Sequence, residues 1–314
     1  MTARVVLHLP AYMNARLAAG KPLLYSRIRD SILARGGAVD LVEGFNGAGY
    51  REDGNLHIVE NGHHQRVGVL NAATAYFEGF FHVDPVGIQA ASRIGALLYD
   101  PTTVDGGAAQ TYHANLQQRF AVPRLSRYKQ PKTLRNLPQG ALAVFLQGPA
   151  PQRNGQAYCS FEAMVEAVCA GAGGRDVLVK PHPLKPELGA EIIAAVRAKG
   201  YRLTQTDANV HDILAVCSAT VSINSATALE GFLHRKPAVL FGRSDFHAVV
   251  ETVQDPAAFG AALARALTNP PDYARALYWY FGQHCLDIQA DNFDARLLAI
   301  FAEAGFDANR LGLT

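Results

Sequence analysis

Two stretches of the chain combine residue types that can grip a small charged molecule. One is Asp176-Val-Leu-Val-Lys-Pro-His-Pro183; the other is Thr220-Val-Ser-Ile-Asn-Ser-Ala-Thr-Ala-Leu-Glu230. Each starts as a short β-branched apolar run and ends abruptly in polar, turn-forming residues. That is the pattern of a buried parallel strand reaching the edge of its sheet. In open α/β sheets ligands bind just outside the carboxyl ends of the strands, so the two runs read as walls of one nucleotide site. In Lys180-Pro-His-Pro183 the prolines fix φ and hold the residue before each of them extended. The loop is stiff, and His182 and Lys180 are aimed, as suits a phosphate or a departing nucleotide. In the second stretch Ser222, Asn224, Ser225 and Thr227 sit where strand gives way to helix, with Asn224 or Ser225 as N-cap candidates. A helix start offers unpaired N–H groups and partial positive charge. Glu230 lies three residues after Thr227, on the same face, where a carboxylate can accept from ribose hydroxyls. A rigid turn with exposed basic residues and a capped helix with a surface Glu would explain any one of these residues, but less well the whole set.

The elements that must hold these residues follow from periodicity. Arg4 to Leu9, a helix over Leu23 to Ala34 closed by Gly36-Gly37, and Ala38 to Val42 make a β-α-β unit. Leu56 to Val59 and Val67 to Leu70 are further strands, and His63-His64 between them lacks the ligand spacing of a metal site. Ala75-Tyr-Phe-Glu-Gly-Phe-Phe-His-Val-Asp-Pro-Val-Gly87 places aromatics beside Glu78, His82 and Asp84. It reads either as a core strand with a capping Asp or as an aromatic floor with a carboxylate for a sugar. Helices are expected over about 88–98 and 110–120. The basic, proline-bearing run Arg124 to Gln139 reads as an interdomain linker. Strands and helices then alternate from Leu142 to Leu267, and Tyr273 to Gly305 reads as a helical tail. The expected architecture is α/β, with two Rossmann-like domains facing a central cleft. Residues 1–137, completed by tail helices 276–314, form the N-terminal acceptor domain. Residues 138–275 form the C-terminal nucleotide-sugar domain.

Bulk properties narrow the function. At 314 residues, 49% hydrophobic and 18% charged, the chain can fill two cores. A formal net charge of +2 gives no support for a nucleic-acid partner. The four cysteines are scattered, as in a reduced, cytoplasmic protein. No run approaches the ~18 apolar residues of a membrane span, so membrane association is at most peripheral, at the inner face.

The second half resembles the capsule-polysaccharide biosynthesis glycosyltransferases, the group that includes retaining Kdo transferases. The matching stretches are Val144-Phe-Leu-Gln147, Val179-Lys-Pro-His-Pro183, and Ser222 to Glu230 followed by Lys236-Pro-Ala-Val. The resemblance implies a GT-B fold and a nucleotide-sugar donor, CMP-linked for preference, with no tightly bound cofactor and no metal for donor binding. It implies donor contacts by Gln147, Lys180, His182, Ser222, Asn224, Ser225, Thr227 and Glu230, with His182 and Ser225 at the phosphate and Glu230 at the ribose. The acceptor would be a glycan or glycolipid, and polysaccharide-assembly proteins are candidate partners. One departure matters: Gln147-Gly-Pro-Ala-Pro-Gln-Arg-Asn-Gly-Gln156 lacks the acidic residue that Kdo transferases carry after this Gln. Either the reacting carboxylate comes from the first domain, with Asp84 or Glu78 acting beside His182, or the chemistry differs from that of the Kdo enzymes. Two alternatives stay open, a nucleotide-sugar epimerase or hydrolase of the same fold and a catalytically inactive nucleotide-sugar-binding homologue.

Overall fold

The apolar run Val5–Leu9 is strand β1, buried along its whole length, in the computed structural model, which describes residues 2–21 and 23–314. The chain divides into two compact units. Unit 1 is Met1–Leu97 with Tyr280–Thr314, and unit 2 is Leu98–Trp279.

In unit 1, β2 (Val39–Glu43), β3 (Leu56–Glu60) and β4 (Val69–Thr74) join β1 as parallel neighbours, and β5 (Phe80–Asp84) runs antiparallel to β4. The tail strand Leu286–Asp287 pairs antiparallel with β5, so the sheet reads tail-β5-β4-β3-β1-β2. The reversal at β5 has a local cause. Only residues 75–79 separate β4 from β5, too few for a parallel crossover. Gly79 and Tyr76 both take positive φ in that turn. The core joins Val5, Leu7, Tyr25 and Ile28 to Phe293, Leu297 and Phe301 of the tail helix Phe293–Glu303.

In unit 2, the strands are β6 (Leu142–Phe145), β7 (Val177–Lys180), β8 (Thr204–Gln205), β9 (Ala219–Ser222), β10 (Ala238–Leu240) and β11 (Glu251–Thr252). All pair parallel, in the order β11-β10-β9-β6-β7-β8. Helices Phe161–Ala170, Pro186–Ala198 and Phe259–Thr268 supply Met164, Val165, Ile192, Ile193 and Phe259 to one core. Helix Val210–Val216 supplies Ile213 and Leu214 to another. The inner strands β6, β7, β9 and β10 are buried along their whole length, which is why they read as continuous apolar runs.

Several expectations need correcting. The division falls at 97/98 rather than at 137/138. The helix Gly106–Leu116 and the π-turn after it are fastened to unit 2: His113 Nε2 lies 3.0 Å from the carbonyl of Phe232, and Gln117 Nε2 donates to that of Leu233 at 2.7 Å. The helix expected over 88–98 is instead two short 3-10 turns. The tail is broken into helix Tyr273–Leu277, a π-turn, the tail strand and helix Phe293–Glu303.

Candidate functional site

Because β9, β6 and β7 are adjacent and parallel, their carboxyl ends lie side by side. Neighbouring strands are ~4.8 Å apart, so the loops after β7 and β9 start ~10 Å from each other across the end of β6. His182 and Ser225 therefore share one edge of the unit 2 sheet.

Pro-His-Pro is held from beneath. Gly189, in the helix that follows, lies so close to Pro181 that a Cβ there would meet the proline Cβ at 2.5 Å. A turn is closed by the Lys185 N–H donating to the His182 carbonyl at 2.9 Å. The Leu184 N–H donates to His182 Nδ1 at 3.2 Å. An Nδ1 that accepts puts the proton of the neutral ring on Nε2. Burial lowers the pKa of His182, and the nearby charges of Arg127 and Lys185 lower it further. At neutral pH the ring is thus a neutral hydrogen-bond donor, aimed through Nε2.

Lys180 does something else. Its buried ammonium donates to the carbonyls of Ala208 at 2.6 Å and Asp207 at 3.2 Å. Two of its three N–H donors brace the loop after β8, where the sequence led us to expect a donor contact. Burial lowers its pKa.

At the end of β9 the polar residues bond mainly to each other. Asn224 N–H donates to Gln147 Oε1, and Gln147 Nε2 returns a bond to Asn224 Oδ1, both at 3.0 Å. Asn224 Nδ2 donates to Gln156 Oε1 at 3.1 Å and to the Arg243 carbonyl at 2.9 Å. Asn224 is the pin that fastens three loops, and its amide has no donor left for a ligand. Ser225 N–H donates to Ser222 Oγ at 3.1 Å, and Thr227 N–H to Ser225 Oγ at 3.3 Å. The helix Thr227–Leu233 is capped at Ala226 rather than at Asn224 or Ser225. The Thr227 hydroxyl is buried beside this turn with no hydrogen-bond partner among the described residues.

Glu230 is buried, not on the surface, and burial pushes its pKa up to about 7 against a hydrogen bond from Ser126 that pulls it down. Ser126 belongs to the run read as a linker. In the structure that run is a strap on unit 2. Arg124 pairs with Asp212 at 2.6 Å, and Asn209 Nδ2 donates to the carbonyls of Arg124 and Pro131. His211 Nε2 lies 2.7 Å from the carbonyl of Leu125. Tyr128 sets its ring edge-on to His182, centroids 4.9 Å apart. Ser126, Arg127, Tyr128 and Lys185 were missed as site residues. The basic run itself was visible in the sequence, but not the side of the fold it would cover.

In unit 1 the two expected carboxylates separate. Asp84 is buried at the far end of β5, and its Oδ1 accepts from the N–H groups of Val86 at 2.7 Å and Gly87 at 3.0 Å. Its Oδ2 accepts from the Arg93 N–H at 3.1 Å, with the Arg93 guanidinium 3.7 Å away. Asp84 is the structural clamp of an Asp-Pro turn, which corrects its catalytic reading. Glu78 is exposed in the turn after β4, at the carboxyl edge of the parallel strands. Antiparallel β5 carries Asp84 away from that edge. Glu60, unread in the sequence, ends β3 on the same edge as Glu78. It accepts from the Tyr25 hydroxyl and from Asn61 Nδ2, and burial raises its pKa. The expected aromatic floor is core instead: Tyr76, Phe77 and Phe80 are buried, with Phe77 stacked on Phe281 at 4.6 Å. Among the described residues, no group of three or more His, Cys, Asp or Glu is placed to hold a metal ion, and no helix is long and apolar enough to cross a membrane.

Two α/β units, one of them all parallel with a polar rim at its carboxyl edge, are the parts of the GT-B fold that the sequence led us to expect. The fold recurs in the solved structure of Thermosulfurimonas dismutans KpsC, beta Kdo 2,7 transferase, with a TM-score of 0.53 at 11% identity over 95% of this chain and 99% of that one. It recurs in Thermosulfurimonas dismutans KpsC, beta Kdo 2,4 transferase, with a TM-score of 0.50 at 14% identity over 83% of this chain and 91% of that one. Residues 154–266 match the family model described as capsule polysaccharide biosynthesis protein, which bears out the resemblance over the span holding His182, Ser225 and Glu230. No curated protein sequence matches the chain.

Proposed function

We propose that the chain is a glycosyltransferase that uses a nucleotide-activated sugar, CMP-linked and Kdo-like, in the synthesis of a capsule or other surface polysaccharide. The observation that supports this is the shared sheet edge of His182 and Ser225, at the carboxyl ends of β7 and β9 on either side of β6. The family match over 154–266 supports the capsule setting. In the reaction, the bond between the anomeric carbon and the phosphate oxygen breaks and an acceptor oxygen takes the carbon. Negative charge develops on the departing phosphate, and the Nε2–H of His182 is built to donate to it. A neutral imidazole is a poor acid, so its role is charge stabilisation rather than proton delivery. The acceptor hydroxyl loses its proton to a carboxylate. Glu78, exposed at the carboxyl edge of the parallel strands, fills that role better than Asp84 or Glu60, whose oxygens are already bonded.

Incubation of CMP-Kdo with a glycan acceptor should release CMP and extend the glycan, and His182→Ala should slow both steeply. No binding of CMP, UDP or GDP compounds would remove the reading. Binding without turnover would instead identify an inactive homologue, the reading favoured by the absence of any acidic residue between Gln147 and Gln156.

A further inference from the structure

A site that stabilises a departing phosphate without relying on Lys180 must find positive charge elsewhere, and two cations stand beside His182. Lys185 is three residues on, in the turn closed on the His182 carbonyl, and its Cγ lies 3.8 Å from where a Cβ on Gly148 would sit, over the end of β6. Arg127 comes from the strap, its guanidinium carbon 5.9 Å from the ring of Tyr128, which itself contacts His182. Both side chains are exposed, and neither forms an ion pair among the described residues. Two of the four other strap cations differ: Arg124 is paired with Asp212, and Arg135 with Asp207. Two unpaired cations flanking an imidazole, with no carboxylate acting on that ring, repel each other unless an anion joins them. The residues on either side of Arg127 also reach the site, Ser126 to the Glu230 carboxylate and Tyr128 to the imidazole.

We propose that Ser126-Arg127-Tyr128 and Lys185 complete the donor site, with Arg127 and Lys185 as the cations that neutralise the donor phosphate around His182. This rests on the nucleotide-sugar reading above and deepens it. The segment between the two sheets is then part of the binding site and not a passive connection. Arg127 brings a planar fork that can take two phosphate oxygens, and Lys185 a point charge. Ser126 holds the Glu230 carboxylate until ribose hydroxyls replace it.

The test is calorimetric titration of CMP, cytidine and inorganic pyrophosphate into the full chain and into Arg127→Gln, Lys185→Gln and the double variant, with Lys132→Gln as a control for the overall charge of the strap. Each single substitution should weaken CMP about tenfold, as for one charge-assisted contact, and the double variant more. Cytidine, which lacks the phosphate, should bind the wild type and both single variants alike. Lys132→Gln should leave CMP unchanged. All the substitutions are on exposed side chains, and unchanged melting temperatures verify folding. Equal CMP affinity in wild type and double variant would overturn the proposal, as would an equal loss in Lys132→Gln, which would mean a diffuse field rather than contacts. If no nucleotide bound but pyrophosphate bound the wild type and not the double variant, the anion subsite would stand and the nucleotide reading would fall. If neither bound, both would fall.

Discussion

Glu230→Gln should make the protein more stable at neutral and alkaline pH while weakening its nucleotide affinity there. The carboxyl group is buried in unit 2, and burial raises its pKa from 4.5 to about 7. The folded state therefore favours the neutral acid. As pH rises above 4.5 the unfolded chain releases a proton that the folded chain keeps. Stability falls through that window and levels off above about 7. At 1.36 kcal/mol for each pKa unit, the accumulated cost is ~3 kcal/mol. Glutamine has the same shape, keeps an oxygen to accept from Ser126 and does not titrate. The advantage of the variant should be near zero at pH 4.5 to 5 and grow to ~3 kcal/mol by pH 8. For a domain of this size that is roughly 6–12 °C in melting temperature. Calorimetric melts of both proteins from pH 5 to 8.5 measure it directly, and the unit 2 transition is the one that should move. A melting difference that stays constant across that range would refute the reasoning, because it would mean that Glu230 titrates alike in the folded and unfolded chain. The same carboxylate should bind ribose best when ionised, so CMP affinity of the wild type should rise with pH through about 7, and Glu230→Gln should lack that rise.

Four other outcomes are expected. His182→Ala should lower turnover by about 10²- to 10³-fold, as when one phosphate or oxyanion donor is lost. His182→Gln, which can still donate a hydrogen bond, should recover part of it, and the rate should not fall as pH rises above neutrality. Gly189→Ala should displace the Pro-His-Pro loop, since the new methyl would strike Pro181; the expected cost is ~1–3 kcal/mol by thermal melts, with a loss of turnover larger than the loss of stability suggests. Lys180→Met should destabilise unit 2 by freeing the loop after β8, yet leave CMP affinity in the surviving folded protein near wild type by calorimetry. Asp84→Ala should unfold unit 1 at lower denaturant by leaving the turn N–H groups unpaired, whereas Glu78→Gln should leave the denaturation midpoint alone and cut turnover.

Much of this arrangement is legible in the sequence, for identifiable reasons. A strand buried on both faces needs an unbroken apolar run, so β6, β7, β9 and β10 are visible as such, and the residues just after them are the rim. The direction of β5 is less visible, because Phe80–Asp84 would read the same either way. Its reversal is set by the short turn before it, and that reversal decides that Glu78, and not Asp84, lies at the carboxyl edge of the parallel strands. Residue type also misleads where partners are remote in sequence. Lys180 looks like a phosphate ligand until Asp207 and Ala208 come within reach of its ammonium. Glu230 looks solvent-facing until the strap covers it. A run with several prolines and no apolar period, such as 124–139, carries no signal of what it lies against.

In the order of the chain unit 2 falls between the two segments of unit 1, whose last strand and last large core residues come from beyond Trp279. A chain growing from its amino end therefore finishes the second sheet first. Throughout that time the earlier residues wait with the outer edge of β5 open and Val5, Leu7 and Ile28 short of Phe293, Leu297 and Phe301. A chain cut short near residue 279 would join a unit whose sheet is complete to one that lacks its last strand and part of its core. Quality control would then act on the beginning of the polypeptide because of a defect at its end.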